Sequence, residues 1–290
     1  ALIVRLLKLY AKKRCAAIGD GGNDVAMIQA ADVGIGLEGL EGRQASLAAD
    51  FSLLKFMHVR RLVLWHGRNA YTRTARLSQF VIHRGLIISI IQAVFSALFY
   101  FATIAIYSGW LVVGYSTVFT MLPVFSLVLD EDVDAKTAFM YPELYKELQK
   151  GRRLCTRTFL TWVFKSIYQG GIIMMLAILM FDDSFLHIIS ITFTALILTE
   201  LLMVAFEVQK WHWMMGAAQV LSVIFYISSF YLLPTYFDVV FIFTAEFWWR
   251  VITITLISCL PVTIGKYVQR QLSPPVYVKV GRDVEEEDIA

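Results

Sequence analysis

Apolar and polar positions divide this chain in two. Residues 1–76 mix charges with short apolar runs, whereas long stretches after Gln79 carry few or no charges. Six of those stretches are long enough to cross a hydrocarbon core of about 30 Å, which takes roughly 20 apolar residues in a helix. They fall near 80–106, 111–129, 159–181, 185–206, 213–233 and 240–264. None shows the alternation of a lipid-facing barrel strand, so the pattern predicts helices. In the last stretch, Trp248 and Trp249 also fit an interfacial aromatic belt, which would leave Val239–Thr244 in the outer loop. Glu246 and Arg250, four apart, would pair on one helical face.

Before the membrane half, the periodicity changes repeatedly. Ile3, Leu6, Leu7 and Tyr10 keep helical spacing, and Cys15–Ile18 is a short apolar run closed by Gly19-Asp20-Gly21-Gly22. Helix is expected again over Asp24–Ala31, strand over Val33–Leu37 and helix over Glu41–Ala49. Strands separated by such helices predict a parallel sheet with crossovers.

Charge fixes an orientation. Residues 107–110 and 182–184 hold no Lys or Arg, and 234–239 holds only Asp238 as a charge. By contrast, 130–158 holds Lys136, Lys146, Lys150, Arg152, Arg153 and Arg157, while Lys210 follows the fourth stretch and Lys266 and Arg270 the sixth. Positive charge recurs on one side of every second crossing, which places both ends of the chain in the cytosol. The expected division is 1–55 cytosolic α/β, 56–78 a basic linker, 79–265 the six-helix domain with its cytosolic loop 130–158, and 266–290 a cytosolic tail. The linker (Lys55, Arg60, Arg61, Arg68, Arg73, Arg76) would face anionic cytosolic lipids, and the acidic run Glu285–Asp288 reads as a solvated tail.

Composition changes this picture little. The chain is 58% hydrophobic and 17% charged, outside the range of an ordinary soluble domain. A net charge of +3 gives no reason to expect a nucleic-acid partner. Cys15, Cys155 and Cys259 lack metal-ligand spacing and imply no disulfide framework. A chain starting mid-pattern without Met reads as a piece of a longer protein.

The chemistry concentrates in Gly19-Asp20-Gly21-Gly22-Asn23-Asp24. In an open parallel sheet, chemistry gathers at the carboxyl ends of strands, where Asp20 is expected. A carboxylate there suits Mg²⁺, which takes one or two carboxylates together with phosphate oxygens. The glycines let backbone N–H groups approach an anion closely. Asn23 and Asp24 would open the next helix or hold a second acidic group. The bland alternative is a hairpin turn.

In the membrane half, Arg84 needs a reason, since a charge within a span costs about 2.5–3.5 kcal/mol on insertion scales. One reading has it snorkelling at the cytosolic edge, because Gly85–Ile106 is free of charge and long enough to cross. Gly85, Ser89, Gln92, Ser96 and Thr103 share a face within about 60° at roughly 100° per residue. That face suits either helix packing or a substrate groove. Ser116, Thr120 and Pro123 share a face of the second stretch, where Pro123 would kink the helix. Lys165 and Glu200 each lie roughly 9–10 Å from the cytosolic edge, so they would pair or Lys165 would snorkel alone.

The run GDGGNDVAMIQAADVGIG (19–36) resembles the motif closing the phosphorylation domain of P-type ATPases, a haloacid-dehalogenase-like fold. LEGLEGRQASLAADFSL (37–53), LVLWHGRNAYTR (62–73), YSTVFTMLPVF (115–125) and YPELYKELQKG (141–151) resemble the type-IV, phospholipid-translocating class. The residues around Ile82-His83-Arg84-Gly85 look most like its class-2 branch, of Golgi and endosomal membranes, which works without the usual accessory subunit. The resemblance implies a six-helix polytopic membrane domain preceded by the end of an α/β phosphorylation domain. It implies use of ATP and Mg²⁺, with phospholipids as substrates moved from the outer to the cytosolic leaflet through a phosphoenzyme. Asp20 and Asp24 would ligate Mg²⁺, and Asn23 and Asp24 would line the phosphoryl site. Arg84 falls where most members carry Lys on the lipid path, Gly85 where they carry Asn, and Ser116 where they carry another Asn. The path would thus run along Arg84, Ser89, Gln92, Ser116, Thr120 and Pro123. The DKTGT loop that is phosphorylated does not occur in this sequence, so the chain alone is expected to be inactive. A cation pump of the same superfamily would need carboxylates in the first two spans, and none precedes Asp130 there. A passive channel or scaffold with a phosphatase-like appendage is the remaining alternative.

Overall fold

The computed structural model describes residues 1–39, 43–101, 103–149, 152–180 and 184–272. The chain forms two compact units. One holds Ala1–Arg68 with Ala138–Pro142, the other Asn69–Thr137 and the chain from Glu143 onward.

The first unit is built on a three-stranded parallel sheet in the order β1 (Ala16–Gly19), β2 (Val33–Leu37), β3 (Phe51–Leu53). Ile18 aligns with Ile35, and Ile35 with Phe51. Helix α1 (Leu2–Tyr10) precedes the sheet, and α2 (Val25–Ala30) and α3 (Gln44–Ala48) make the crossovers. The helix expected over Glu41–Ala49 begins partly outside the described residues, as the acidic tail lies wholly outside them. β1 starts one residue later than its apolar run, because the Cys15 N–H is donated to the Asp32 carboxylate at 2.8 Å. Asp32 also pairs with Lys8 at 2.8 Å, fastening α1 to the sheet. Close packing on β2 depends on Gly36: a Cβ there would lie 2.6 Å from the Ala45 carbonyl oxygen. β3 was not foreseen. It is three residues long and largely exposed, too short to show a period.

In the second unit, six helices are long and apolar enough to span a membrane, among the described residues. They are α4 (Arg68–Leu98), α5 (Gly109–Leu129), α6 (Thr156–Leu179), α7 (Phe185–Glu207), α8 (Trp213–Leu232) and α9 (Ala245–Leu272). α7 is buried on every side from Ser190 to Ile197, as an apolar helix without a polar face should be. Phe193 packs there against Tyr107, Tyr115, Phe119 and Tyr226. α4 and α6 come close at Gly170, where a Cβ would stand 2.8 Å from the Ile87 carbonyl oxygen. The expected stripe on α4 is not that contact, since nothing lies within 4 Å of a Cβ on Gly85.

Several boundaries differ from the apolar runs. α4 stops at Leu98, not Ile106, and Tyr100 and Phe101 take left-handed φ of 51° and 58°. Thr103 is therefore off the helix. Such φ values cost about 1–2 kcal/mol per residue. The turn persists because Gln92 clamps the segment beyond it, donating to the Ile104 carbonyl at 3.1 Å and accepting from the Ile106 N–H at 2.9 Å. Ile106 and Tyr107 are buried beneath that clamp. The last stretch is broken: Val239–Ile242 forms one turn, and Thr244 then caps α9, which runs on past Pro261 to Leu272. Glu246 and Arg250 do pair.

The end of α5 is tied down by Asp130. One carboxylate oxygen accepts the N–H groups of Gln209 and Lys210, both at 3.0 Å, and the other pairs with Arg76. The Asp130 carbonyl accepts from Arg73 Nε at 2.7 Å, and Arg153 pairs with Asp132 at 3.2 Å. Arg76 is buried against the Asp130 carboxylate and Arg73 binds the Asp130 carbonyl, so these two residues of the basic linker are held at the end of α5.

Candidate functional site

Two clusters carry the residues singled out by the sequence, one in each unit. In the first, β1 ends at Gly19 and the chain turns through Asp20 and Gly21 into a short 3-10 turn, Gly22–Asp24, ahead of α2. This puts Asp20 at the carboxyl end of a parallel strand. The Asp24 carboxylate folds back to accept the Asp20 N–H at 3.3 Å. Only glycine tolerates this at position 19, since a Cβ would sit 2.3 Å from the Asp24 Cβ. Asp20 and Asn23 are exposed and Asp24 half-buried. The segment joins a strand to a helix in a parallel sheet, which disposes of the hairpin alternative. Two carboxylates and an amide, all offering oxygen, suit a hard cation such as Mg²⁺. Among the described residues no third His, Cys, Asp or Glu joins them. The remaining ligands of an ion would be phosphate and water.

The second cluster forms where α4 meets an interruption in α5. Arg84 Nη1 donates to the Ser116 carbonyl at 3.3 Å and to Thr120 Oγ1 at 3.1 Å. In return the Tyr115 hydroxyl donates to the Arg84 carbonyl at 3.1 Å. The interruption has a local cause. α5 widens to a π turn over Tyr115–Phe119 and breaks at Thr120, where φ is −122°. Pro123 has no N–H to offer Phe119 four residues back, and its ring crowds that carbonyl. Thr120 Oγ1 donates to the Tyr115 carbonyl at 2.6 Å, so the opened backbone is satisfied. The kink expected from Pro123 thus supplies the acceptors that hold Arg84.

The other named residues are engaged elsewhere. The Ser116 hydroxyl donates to its own helix, at Val112 and Val113, so its carbonyl and not its side chain meets Arg84. Ser89 donates to the Gly85 carbonyl at 2.9 Å, and Gln92 is the loop clamp. Lys165 does not meet Glu200. Its ammonium lies over the Trp162 ring, 4.4 Å from the centroid, while the Glu200 carboxylate faces His83. Tyr115 and Asp130 carried no signal of their own. Their roles come from a helix interruption and from backbone N–H groups far along the chain.

Residues 46–275 match the family model described as the C-terminal region of phospholipid-translocating P-type ATPases. The chain belongs to this family. It is 60% identical over 280 residues to a probable phospholipid-transporting ATPase IIB of Bos taurus, covering 97% of this chain and 25% of that protein. It is 57% identical over 281 residues to the probable phospholipid-transporting ATPase tat-5 of Caenorhabditis elegans, covering 97% and 26%. With the phospholipid-transporting ATPase NEO1 of Saccharomyces cerevisiae it shares 49% over 283 residues, covering 97% and 24%. The chain therefore spans about a quarter of the length of the curated relatives it matches. Membership places it with the lipid-translocating class, apart from the cation pumps, and the IIB relatives agree with the class-2 resemblance.

Proposed function

We propose that this chain is the membrane-spanning end, and the close of the phosphorylation domain, of an ATP-driven phospholipid flippase. The whole protein moves lipids from the lumenal or exoplasmic leaflet to the cytosolic leaflet through a phosphoenzyme. Family membership supports the reaction class, and the names of the relatives support the substrate class. The observation that carries the site assignment is the reach of Arg84 across to the interrupted stretch of α5. A guanidinium held by two neutral oxygens keeps its charge and spare N–H donors for a phosphate, which it binds bidentately.

In the first unit, Asp20 and Asp24 would hold Mg²⁺, and Asn23 would reach the phosphoryl oxygens. When bound, the ion neutralises charge on those oxygens. Asp24 also fixes the Asp20 backbone, so the two acidic groups act as one loop. Both ends of the chain lie in the cytosol on this reading, which the charge alternation supports. The resemblance supports Golgi and endosomal membranes, and activity without an accessory subunit.

The test uses the full-length protein with Asp24→Ala, Arg84→Ala and Arg84→Lys. Asp24→Ala should abolish phosphoenzyme formation or turnover. Arg84→Ala should leave phosphorylation by ATP largely intact and weaken lipid-stimulated dephosphorylation. Arg84→Lys should shift headgroup preference across a phospholipid panel. Equal lipid responses in wild type and both Arg84 variants would make Arg84 an anchor. Lipid movement that persists without ATP would point to a passive channel.

A further inference from the structure

Away from the Arg84 contact, a chain of hydrogen bonds ends at three unpaired atoms. Ser166 Oγ lies 2.9 Å from the Trp162 carbonyl oxygen and 2.7 Å from His83 Nδ1, where the imidazole tautomer sets which atom donates. His83 Nε2, at the other edge of the ring, has no hydrogen-bond partner. It faces Glu200 Oε1, 3.8 Å away, and neither Glu200 oxygen has a hydrogen-bond partner. Both side chains are fully buried.

An ionised carboxylate left this way is costly, several kcal/mol even after relaxation. Neither cation nearby donates to the pair. Arg84, on α4, donates to α5, and Lys165, on α6, lies over Trp162. The remaining groups facing the pair are the Tyr115 hydroxyl from α5 and the Cys259 thiol from α9. Neither brings a positive charge.

We propose that Glu200 and His83 form a proton-binding site in the membrane core. One proton answers the buried charge: carried by Glu200, it makes the carboxyl neutral and gives it a donor toward His83 Nε2, 3.8 Å away. The pair is then neutral, with one proton taken from water. His83 precedes Arg84 directly, and the Tyr115 hydroxyl that faces Glu200 donates its proton to the Arg84 carbonyl. Occupancy of this site therefore bears on the arm that reaches α5. The inference stands apart from the flippase reading, because it concerns a bound proton and not a lipid.

The test is infrared difference spectroscopy of the full-length protein in lipid nanodiscs, stepped between acid and alkaline buffer. The carbonyl stretch of a buried protonated carboxylic acid should appear in wild type and vanish in Glu200→Gln. In His83→Gln, which leaves Glu200 in place, the band should persist with a changed frequency and a moved pH midpoint. A spectrum in that region identical in wild type and Glu200→Gln would overturn the proposal. So would loss of the band on adding Na⁺ or K⁺ at constant pH, because a metal cation would then be the ligand.

Discussion

Asp130 and Glu200 are equally buried carboxylates with opposite surroundings. Asp130 has both oxygens answered, by two backbone N–H groups and by Arg76, and its own carbonyl is held by Arg73. Glu200 has neither oxygen answered. Burial is therefore a poor guide to what an acidic residue does. A carboxylate whose lone pairs are all satisfied by fixed donors is a joint. One without fixed donors depends on something that comes and goes, and the contrast assigns mechanical work to Asp130 and chemical work to Glu200.

That contrast breaks most visibly at the joint. Asp130→Ala should destabilise the protein by about 3–5 kcal/mol, because Arg76 is left as a buried charge without its partner. Thermal unfolding in detergent would register it, and a loss below about 1 kcal/mol would show that the joint does not bear on stability. Asp130→Asn keeps an oxygen for Gln209 and Lys210 and should cost less, about 1.5–3 kcal/mol for the lost charged hydrogen bond. Glu200→Gln should be far milder, within about 1 kcal/mol, since it removes a charge that no fixed group compensates. A cost for Glu200→Gln as large as for Asp130→Asn would erase the distinction.

The smallest effect belongs to a third carboxylate, Asp238, outside the spans. It accepts the N–H groups of Val240 and Phe241 at 3.1 and 3.2 Å, and His187 faces it at 3.1 Å while stacking on Phe241. The Phe241 N–H first, and His187 next, hold its carboxyl below the ordinary aspartate value of 3.8. Its contribution is therefore complete above 3.8 and is lost as pH falls through the lower folded value. Asp238→Asn should flatten that acid-side loss in a thermal melt recorded against pH. An unchanged acid limb would leave Asp238 as an ordinary surface charge.

Much of this was legible in the chain. Apolar runs located all six spans because a membrane demands a minimum length of apolar helix and little else. The strand-end position of Asp20 followed from glycines closing a short apolar run. Helix ends were less legible. α4 stops well short of its apolar run because Gln92, inside that run, binds the backbone of Ile104 and Ile106. In one dimension such an amide looks like part of a polar stripe. Long-range partners were hidden for a related reason. Asp130 is held by the backbone of Gln209 and Lys210, and backbone N–H groups leave no trace in residue identity. Glu200 and Lys165 matched in depth, yet depth ignores azimuth, and the neighbour on the right side of α7 was His83.

The widened turn in α5 has a further consequence, one of gearing. An α-helix advances roughly 100° and 1.5 Å per residue, so a π turn amounts to one residue out of phase. Arg84 binds on both sides of that phase step, to the Ser116 carbonyl inside the wide turn and to Thr120 just beyond it, on the part of α5 that runs on to Asp130. Restoring regular pitch would turn the helix before Thr120 about 100° against the part that Asp130 locks to Gln209 and Lys210. The Ser116 carbonyl would swing away from the Thr120 hydroxyl. Arg84 keeps both only while Tyr115–Phe119 stays wide, so any movement that closes the turn must release one of them.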